Sequence, residues 1–323
     1  MIPYKKNTSC LPVEFWLGVS FVFSVLFVIL SCYWSKNVNY INDTLEYKYN
    51  FDSIHVDIYP YGVEFLTSLF MYIVSVFGGD FSDFILFSYL MWLPIVFLCV
   101  NAAGKNITYF FVSIFLLSTF FYLNASYLIR QYYAASFFVL YIFLSNRKKI
   151  SYVFLFASLF SHLSSIIWIL TSSAFAVKLC KSRFVIFAFA FFSFFSLTGI
   201  SIYGFFVEAL MHVEVIFNLP VLTRKIMFYT GGEAELASSV NVRFTVFSIL
   251  IFIMSAFLMH SKCTLSLLDE KICSLIMYQS LFIIVFNENI VLANRVGFFV
   301  FFFSIPCFLI LIGYYLRRQL HDI

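Results

Sequence analysis

Residues 184–206, FVIFAFAFFSFFSLTGISIYGFF, run without one charged side chain and are dominated by Phe. A stretch of this length and apolarity matches the roughly 20 residues that a helix needs to cross hydrocarbon. Similar stretches recur near 11–33, 61–78, 84–100, 107–124, 127–145, 150–178, 242–260, 272–287 and 295–316. None alternates apolar and polar residues as a barrel strand does, and an open strand edge cannot be satisfied in lipid. The expected fold is therefore all-α: a polytopic membrane helix bundle of about ten apolar segments, a single integral-membrane domain over 1–323. Two longer polar stretches, 34–60 and 207–241, are expected as outer loops.

Composition agrees. The 323 residues are 63% hydrophobic, 22% aromatic and 11% charged, with 47 Phe and 21 Tyr. Soluble domains are about half apolar and a quarter charged, so the solvent this chain requires is lipid. The length leaves no room for an extramembrane catalytic domain. A net charge of +4, dispersed in short clusters between apolar segments, excludes a nucleic-acid partner. The seven cysteines are odd in number, lack a CxxC pair and fall mostly in apolar stretches, so neither a disulfide framework nor a metal site is expected. The first apolar stretch is too long for a signal-peptide core and lacks a cleavage pattern; a retained first span is expected.

Lys and Arg mark the cytoplasmic side. Arg317 and Arg318 place the tail inside, which sets the loop Lys262–Lys271 inside and 207–241 outside. The clusters Arg147-Lys148-Lys149 and Lys178-Lys181-Arg183 both belong inside, yet too few residues separate them for two full crossings. A short hairpin resolves this, its turn near Ser161-His162-Leu163-Ser164-Ser165. In the N-terminal third, Lys5 and Lys6 conflict with the count from Arg147. The segment 61–78, with Glu64 and the Gly78-Gly79-Asp80 break, is the expected exception: a partly inserted helix whose ends share one side.

An ionised side chain at mid-membrane costs about 2.5–3.5 kcal/mol on the insertion scale, so the few near hydrocarbon are informative. Arg130, Arg243 and Arg295 each open or close a span at the expected outer surface. Single Arg residues there are ordinary anchors, but three at one depth suit a pyrophosphate, whose oxygens match the planar guanidinium fork. His162, in the polar turn, is a general-base candidate for transfer to a sugar hydroxyl, against the plainer reading of a hydrogen-bonded structural residue. Asp43, Tyr47 and Glu64 in the first loop, with Arg224 and Tyr229 in the second, combine carboxylate, cation and aromatic faces as a glycan-binding lip does. A solvated loop is equally served by these residues.

In this order the motifs resemble the EpsG-type branch of the Wzy O-antigen and exopolysaccharide polymerases. The resemblance runs through Asp43 to Tyr47, Tyr59-Pro60 leading to Glu64, Ile129-Arg130-Gln131 followed by Ala134-Ala135, and Phe160-Ser161-His162 with Ser164-Ser165. It continues through Lys225 to Tyr229 and ends at Asn294-Arg295 before a Phe-rich last span. Asp43-Thr44-Leu45-Glu46-Tyr47 departs from the family's adjacent Asp and Tyr, and Gln131-Tyr132 stands where a small residue is common. The resemblance implies a membrane-embedded, GT-C-like glycosyltransferase of the bacterial inner membrane with its active site facing the periplasm. It implies a glycan donor on undecaprenyl pyrophosphate, a sugar hydroxyl of the next lipid-linked repeat unit as acceptor, and no cofactor or metal. It also implies a chain-length regulator and a flippase as partners, besides membrane lipid. The competing readings are an O-antigen ligase-type transferase and, from another class, a lipid-linked oligosaccharide or solute transporter; the latter calls for two matched halves, which the sequence does not display.

Overall fold

A computed structural model describes residues 13–38, 43–91, 128–145, 148–199, 203–204, 208–209, 212, 242–260 and 265–300. The described residues are helical throughout their regular elements, with no strand among them. The chain forms two compact units, one of residues 1–129 with 312–323 and one of 130–311.

The first unit carries α1 (Val13–Lys36), α2 (Asp43–Asp52), α3 (Phe65–Val76) and α4 (Phe81–Leu90). α2 lies inside the stretch expected as a loop. Its Thr44, Tyr47 and Phe51 fall on one face and are buried, which converts a polar sequence into an amphipathic helix. Phe51 packs on Phe81 and Phe84, each at 5.9 Å between ring centres, and Phe70 of α3 packs on Phe87 of α4 at 5.5 Å. The Ser82 hydroxyl donates to the Ser35 carbonyl at 2.9 Å, tying α4 to the end of α1. α3 ends at the expected break: Gly78 takes φ +78°, a conformation open to glycine, and Asp80 then starts α4 with a reciprocal cap to Asp83. With 12 residues, α3 is about 18 Å long, well short of a bilayer core.

The second unit carries α5 (Ile129–Phe143, its first residue at the boundary), α6 (Lys148–Ser161), α7 (Ser165–Thr171), α8 (Ala174–Cys180), α9 (Arg183–Thr198), α10 (Val242–His260), α11 (Leu267–Val285) and α12 (Ile290–Val296). The segment 150–178 thus becomes a hairpin of short helices. α6 rises from Lys148 to the polar turn at 162–164, and α7 and α8 return to Lys181. Ser173 caps α8 by accepting from the Ala176 amide at 3.2 Å, so the returning arm is broken at the Ser172-Ser173 pair. α11 opens on the Ser266–Asp269 capping box beside the Lys181–Glu270 pair at 2.5 Å. It runs antiparallel to α8, with Cys180 near Ser274 and the Tyr278 hydroxyl donating to the Ala176 carbonyl.

The core of this unit is aromatic. Trp168, fully buried, meets Phe299 edge-on at 4.9 Å and lies 5.9 Å from Phe138; Phe189 of α9 stacks on Phe252 of α10 at 3.5 Å. The outward face of α9 is aromatic too: Phe184, Phe187, Phe191 and Phe194 recur at helical spacing and each is more than half exposed. The same helix turns Ser193 and Ser196 inward. Among the described residues, no helix is long and apolar enough to cross a membrane. This differs from the expectation of uninterrupted spans, and the breaks have identifiable causes. The polar turn at 162–164 and the Ser173 cap divide 150–178, Gly199 in the left-handed conformation ends α9 after 16 residues, and α11 spends its first turn on Asp269 and Glu270.

Candidate functional site

The α5–α6 pair fixes where His162 stands. The Ser151 hydroxyl donates to the Tyr141 carbonyl at 3.0 Å, and the Ser158 hydroxyl donates to the Ala134 carbonyl at 2.7 Å. Seven residues forward in α6 therefore match seven residues back in α5, an antiparallel pair in constant register. Four further residues carry His162 level with Arg130. The hairpin tip thus reaches the end of the unit at which Arg130 sits, while the basic residues opening α6 and closing α8 lie at its feet.

The tip is held by its own polar groups. His162 Nδ1 accepts from the Ser164 amide at 3.1 Å and lies 2.8 Å from the Ser164 hydroxyl. The Ser165 hydroxyl donates to the His162 carbonyl at 2.9 Å and lies 2.7 Å from that of Ser158. Because an amide N–H can only donate, this geometry makes Nδ1 the acceptor, and a neutral imidazole then carries its proton on Nε2. For His162 to serve as a base at Nε2, the proton must move to Nδ1, where the Ser164 hydroxyl can accept it and the amide cannot.

Arg295 comes to the same end by a different route. α11 finishes at Phe286, and the turn Asn287-Glu288-Asn289 reverses into α12, whose start is capped by Asn289 accepting from the Leu292 amide at 2.9 Å. Arg295 falls in the last turn of α12. Its carbonyl accepts from Gln131 Nε2 at 3.2 Å, joining positions 164 residues apart. The neighbour of Arg130 is thus bonded to the backbone of Arg295. Both arginines are half-buried. Gly297 allows close packing on α11: a Cβ there would run into the Ile283 side chain and lie 2.8 Å from the Ala293 carbonyl.

Arg243 is exposed in the first turn of α10, two residues before the fully buried Thr245. Asn287 donates to the Thr245 hydroxyl, and Ser196 lies 3.3 Å from Thr245, so one buried polar knot joins α9, α10 and the end of α11. Asn289 donates to the Tyr203 hydroxyl at 3.2 Å beside it. Arg243 is in this way anchored to the turn that leads to Arg295.

In the first unit, Asp43 opens α2 half-buried. Tyr47 is buried against Tyr61 at 5.9 Å between ring centres, rather than open to solvent as a lip residue is. Glu64 is also buried, at the position before α3. Arg224 and Tyr229, with most of 207–241, lie outside the described residues. Among the described residues, no group of three or more His, Cys, Asp or Glu is placed to hold a metal ion.

Sequence reasoning singled out the arginines and the histidine but not what holds them. Gln131, Ser158 and Asn287 act through partners distant in the chain. The one local signal was their polarity inside otherwise apolar segments.

The EpsG family model matches residues 20–322, almost the entire chain. No curated protein and no solved structure matches it.

Proposed function

The chain belongs to the EpsG family, and from that membership and the geometry above we propose that it is a membrane-embedded bacterial polysaccharide polymerase of the Wzy type. In this reading it transfers the growing glycan from undecaprenyl pyrophosphate to a hydroxyl of the next lipid-linked repeat unit, at the periplasmic face of the inner membrane. The observation that carries the reading is the Gln131–Arg295 bond, which brings the Arg130 and Arg295 segments together at the level of the His162 turn.

The chemistry requires cations at one place. The bond from the sugar's anomeric carbon to the pyrophosphate oxygen breaks, a new bond to the acceptor oxygen forms, and the acceptor's proton leaves. Negative charge grows on the pyrophosphate, and two guanidinium groups on fixed segments stabilise it without rearranging at the moment of reaction. Arg243 adds a third cation on the adjoining helix. His162 takes the acceptor's proton at Nε2 once its own proton has moved from Nε2, where the resting turn holds it, to Nδ1, which then donates to the Ser164 hydroxyl in place of accepting from the Ser164 amide. Asp43, with Arg224 and Tyr229, is proposed to bind glycan; Tyr47 and Glu64, both buried, are not placed to do so in this conformation.

Membrane residence is supported by α9. A stripe of four outward Phe over an inward Ser face inverts the arrangement expected in water and suits a helix whose solvent is lipid. The arms of the hairpin, shorter than a full crossing, are tolerable at membrane depth where surrounding protein satisfies the turn, and the Ser158, Ser164 and Ser165 bonds do so.

Deleting the gene in its host and displaying the surface and lipid-linked glycans on a gel tests the reading. A polymerase leaves a single repeat unit on its ordinary acceptor in place of a ladder. Polymer accumulating on the lipid carrier is the signature of a ligase, and an unchanged ladder points to transport.

A further inference from the structure

Gln131 is a polar residue in the first turns of an otherwise apolar helix, and its side chain is 2% exposed. Its Nε2 donates to the Arg295 carbonyl at 3.2 Å. A carbonyl oxygen accepts and never donates, so the orientation of this amide is fixed: the NH2 faces Arg295. The other half, Oε1, is buried with no hydrogen-bond partner. A buried amide with one end unmatched is a poor choice for stability, because the unpaired carbonyl has given up its water and gained nothing. An apolar side chain of the same length would fill the space without that penalty. Residues that lower stability in this way are expected where function needs them.

The one bond that Gln131 does make points to the function concerned. It joins the neighbour of Arg130 to the backbone of Arg295, in the last turn of α12, a helix of seven residues. α12 packs on α11, where Gly297 lies against Ile283, and the Gln131 side chain adds a hydrogen bond that ties it to α5 beside Arg130.

We propose that Gln131 is a positioning residue: its bond to the Arg295 carbonyl sets the spacing between the Arg130 and Arg295 guanidinium groups that hold the pyrophosphate. This inference rests on the polymerase reading above and adds to it a residue that touches neither glycan nor phosphate. Loss of the bond lets α12 shift. Displacements near 1 Å can lower the rate of a positioned reaction by about 100-fold, so turnover should fall while binding of the glycan, made elsewhere, is largely kept.

The test uses membranes containing the full chain and lipid-linked repeat units extracted from the deletion host. Gln131→Met keeps the length and shape of the side chain and removes the donor; Gln131→Leu is the second variant should Met pack poorly. The expected result is a roughly 10- to 100-fold fall in kcat with KM nearly unchanged, at undiminished protein level and thermal stability. In an Arg295→Lys background the same substitution should then cost little more, because the group it positions is already altered. Wild-type turnover from both Gln131 variants overturns the inference, as does a double variant whose loss equals the product of the two single losses. If Arg295→Lys and Arg295→Ala both elongate glycan at the wild-type rate, the polymerase site itself is wrong and this inference goes with it. Normal Gln131 variants beside a defective Arg295 variant overturn the positioning role alone.

Discussion

The Ser158 hydroxyl donates to the Ala134 carbonyl at 2.7 Å, and this bond sets how deep the α6–α7 hairpin sits beside α5. With Ser151 bonded to Tyr141 at the other end, it places His162 at the height of Arg130. A polar turn and a cation that are 32 positions apart in the chain thereby share one end of the unit, where Gln131 also brings Arg295.

His162 both builds the turn and is proposed to accept a proton, and two substitutions separate these roles. Asn at 162 keeps an oxygen that can accept from the Ser164 amide, as an Asx turn does, but has no Nε2. His162→Asn is expected to accumulate normally and make no ladder, whereas His162→Ala should lower protein level as well. Ladder formation by His162→Asn would reduce the residue to a turn former; immunoblot and glycan gel on the same cells give the answer.

Gly297 should not tolerate a side chain. The added Cβ of Gly297→Ala meets Ile283, and overpacking of this kind costs about 1–3 kcal/mol. Thermal unfolding in detergent should show the loss, and Ile283→Val should recover part of it by removing a methyl group at the contact. A stable Gly297→Ala protein would mean that α11 and α12 approach less closely than described.

Asn287 ties three helices. Replacing it with Ala removes the donor to Thr245 and leaves buried hydroxyls on α9 and α10 to pair with each other. Stability should fall by about 1–3 kcal/mol, read as a lower melting temperature in detergent. Because Asn287 leads into the turn before α12, activity should fall with it.

In the proposed orientation the chain crosses the membrane over the segment 184–206, of which α9 alone is shorter than a full crossing. Lys181 then lies on the cytoplasmic side and Thr198 is reached from the periplasm. With the seven native cysteines replaced by Ser, Thr198→Cys should react with an impermeant maleimide in intact spheroplasts. Lys181→Cys, both positions being exposed, should react only after permeabilisation. Equal reactivity without permeabilisation would contradict the proposed orientation.

The hairpin was legible because two basic clusters stand too close for two crossings, which left a tight reversal at the serines around His162 as the answer. Helicity was legible from apolar runs without alternation. The helix inside 34–60 was not, because Thr44, Tyr47 and Phe51 supply an apolar face too sparse to stand out among Asp, Glu, Lys and Asn. The subdivision of 150–178 rests on the polar turn at 162–164 and on the Ser173 cap, whose hydroxyl accepts from the Ala176 amide, and a serine in an apolar run does not by itself announce that role. Arg130 and Arg295 were conspicuous because charge beside hydrocarbon is costly. Gln131 was not, since its one bond reaches a backbone atom 164 residues away and no local pattern encodes that.

The most direct measurement is the glycan ladder of the deletion host carrying the chain with Arg130→Ala or Arg295→Ala on a plasmid, with protein level followed by immunoblot. Each variant should accumulate like the unaltered protein and leave a single repeat unit on the surface acceptor, with activity down at least about 100-fold, as expected for loss of a charge-stabilising group. A full ladder from either variant would contradict the account, because that arginine would then be an interfacial anchor and the pyrophosphate would have to be held elsewhere.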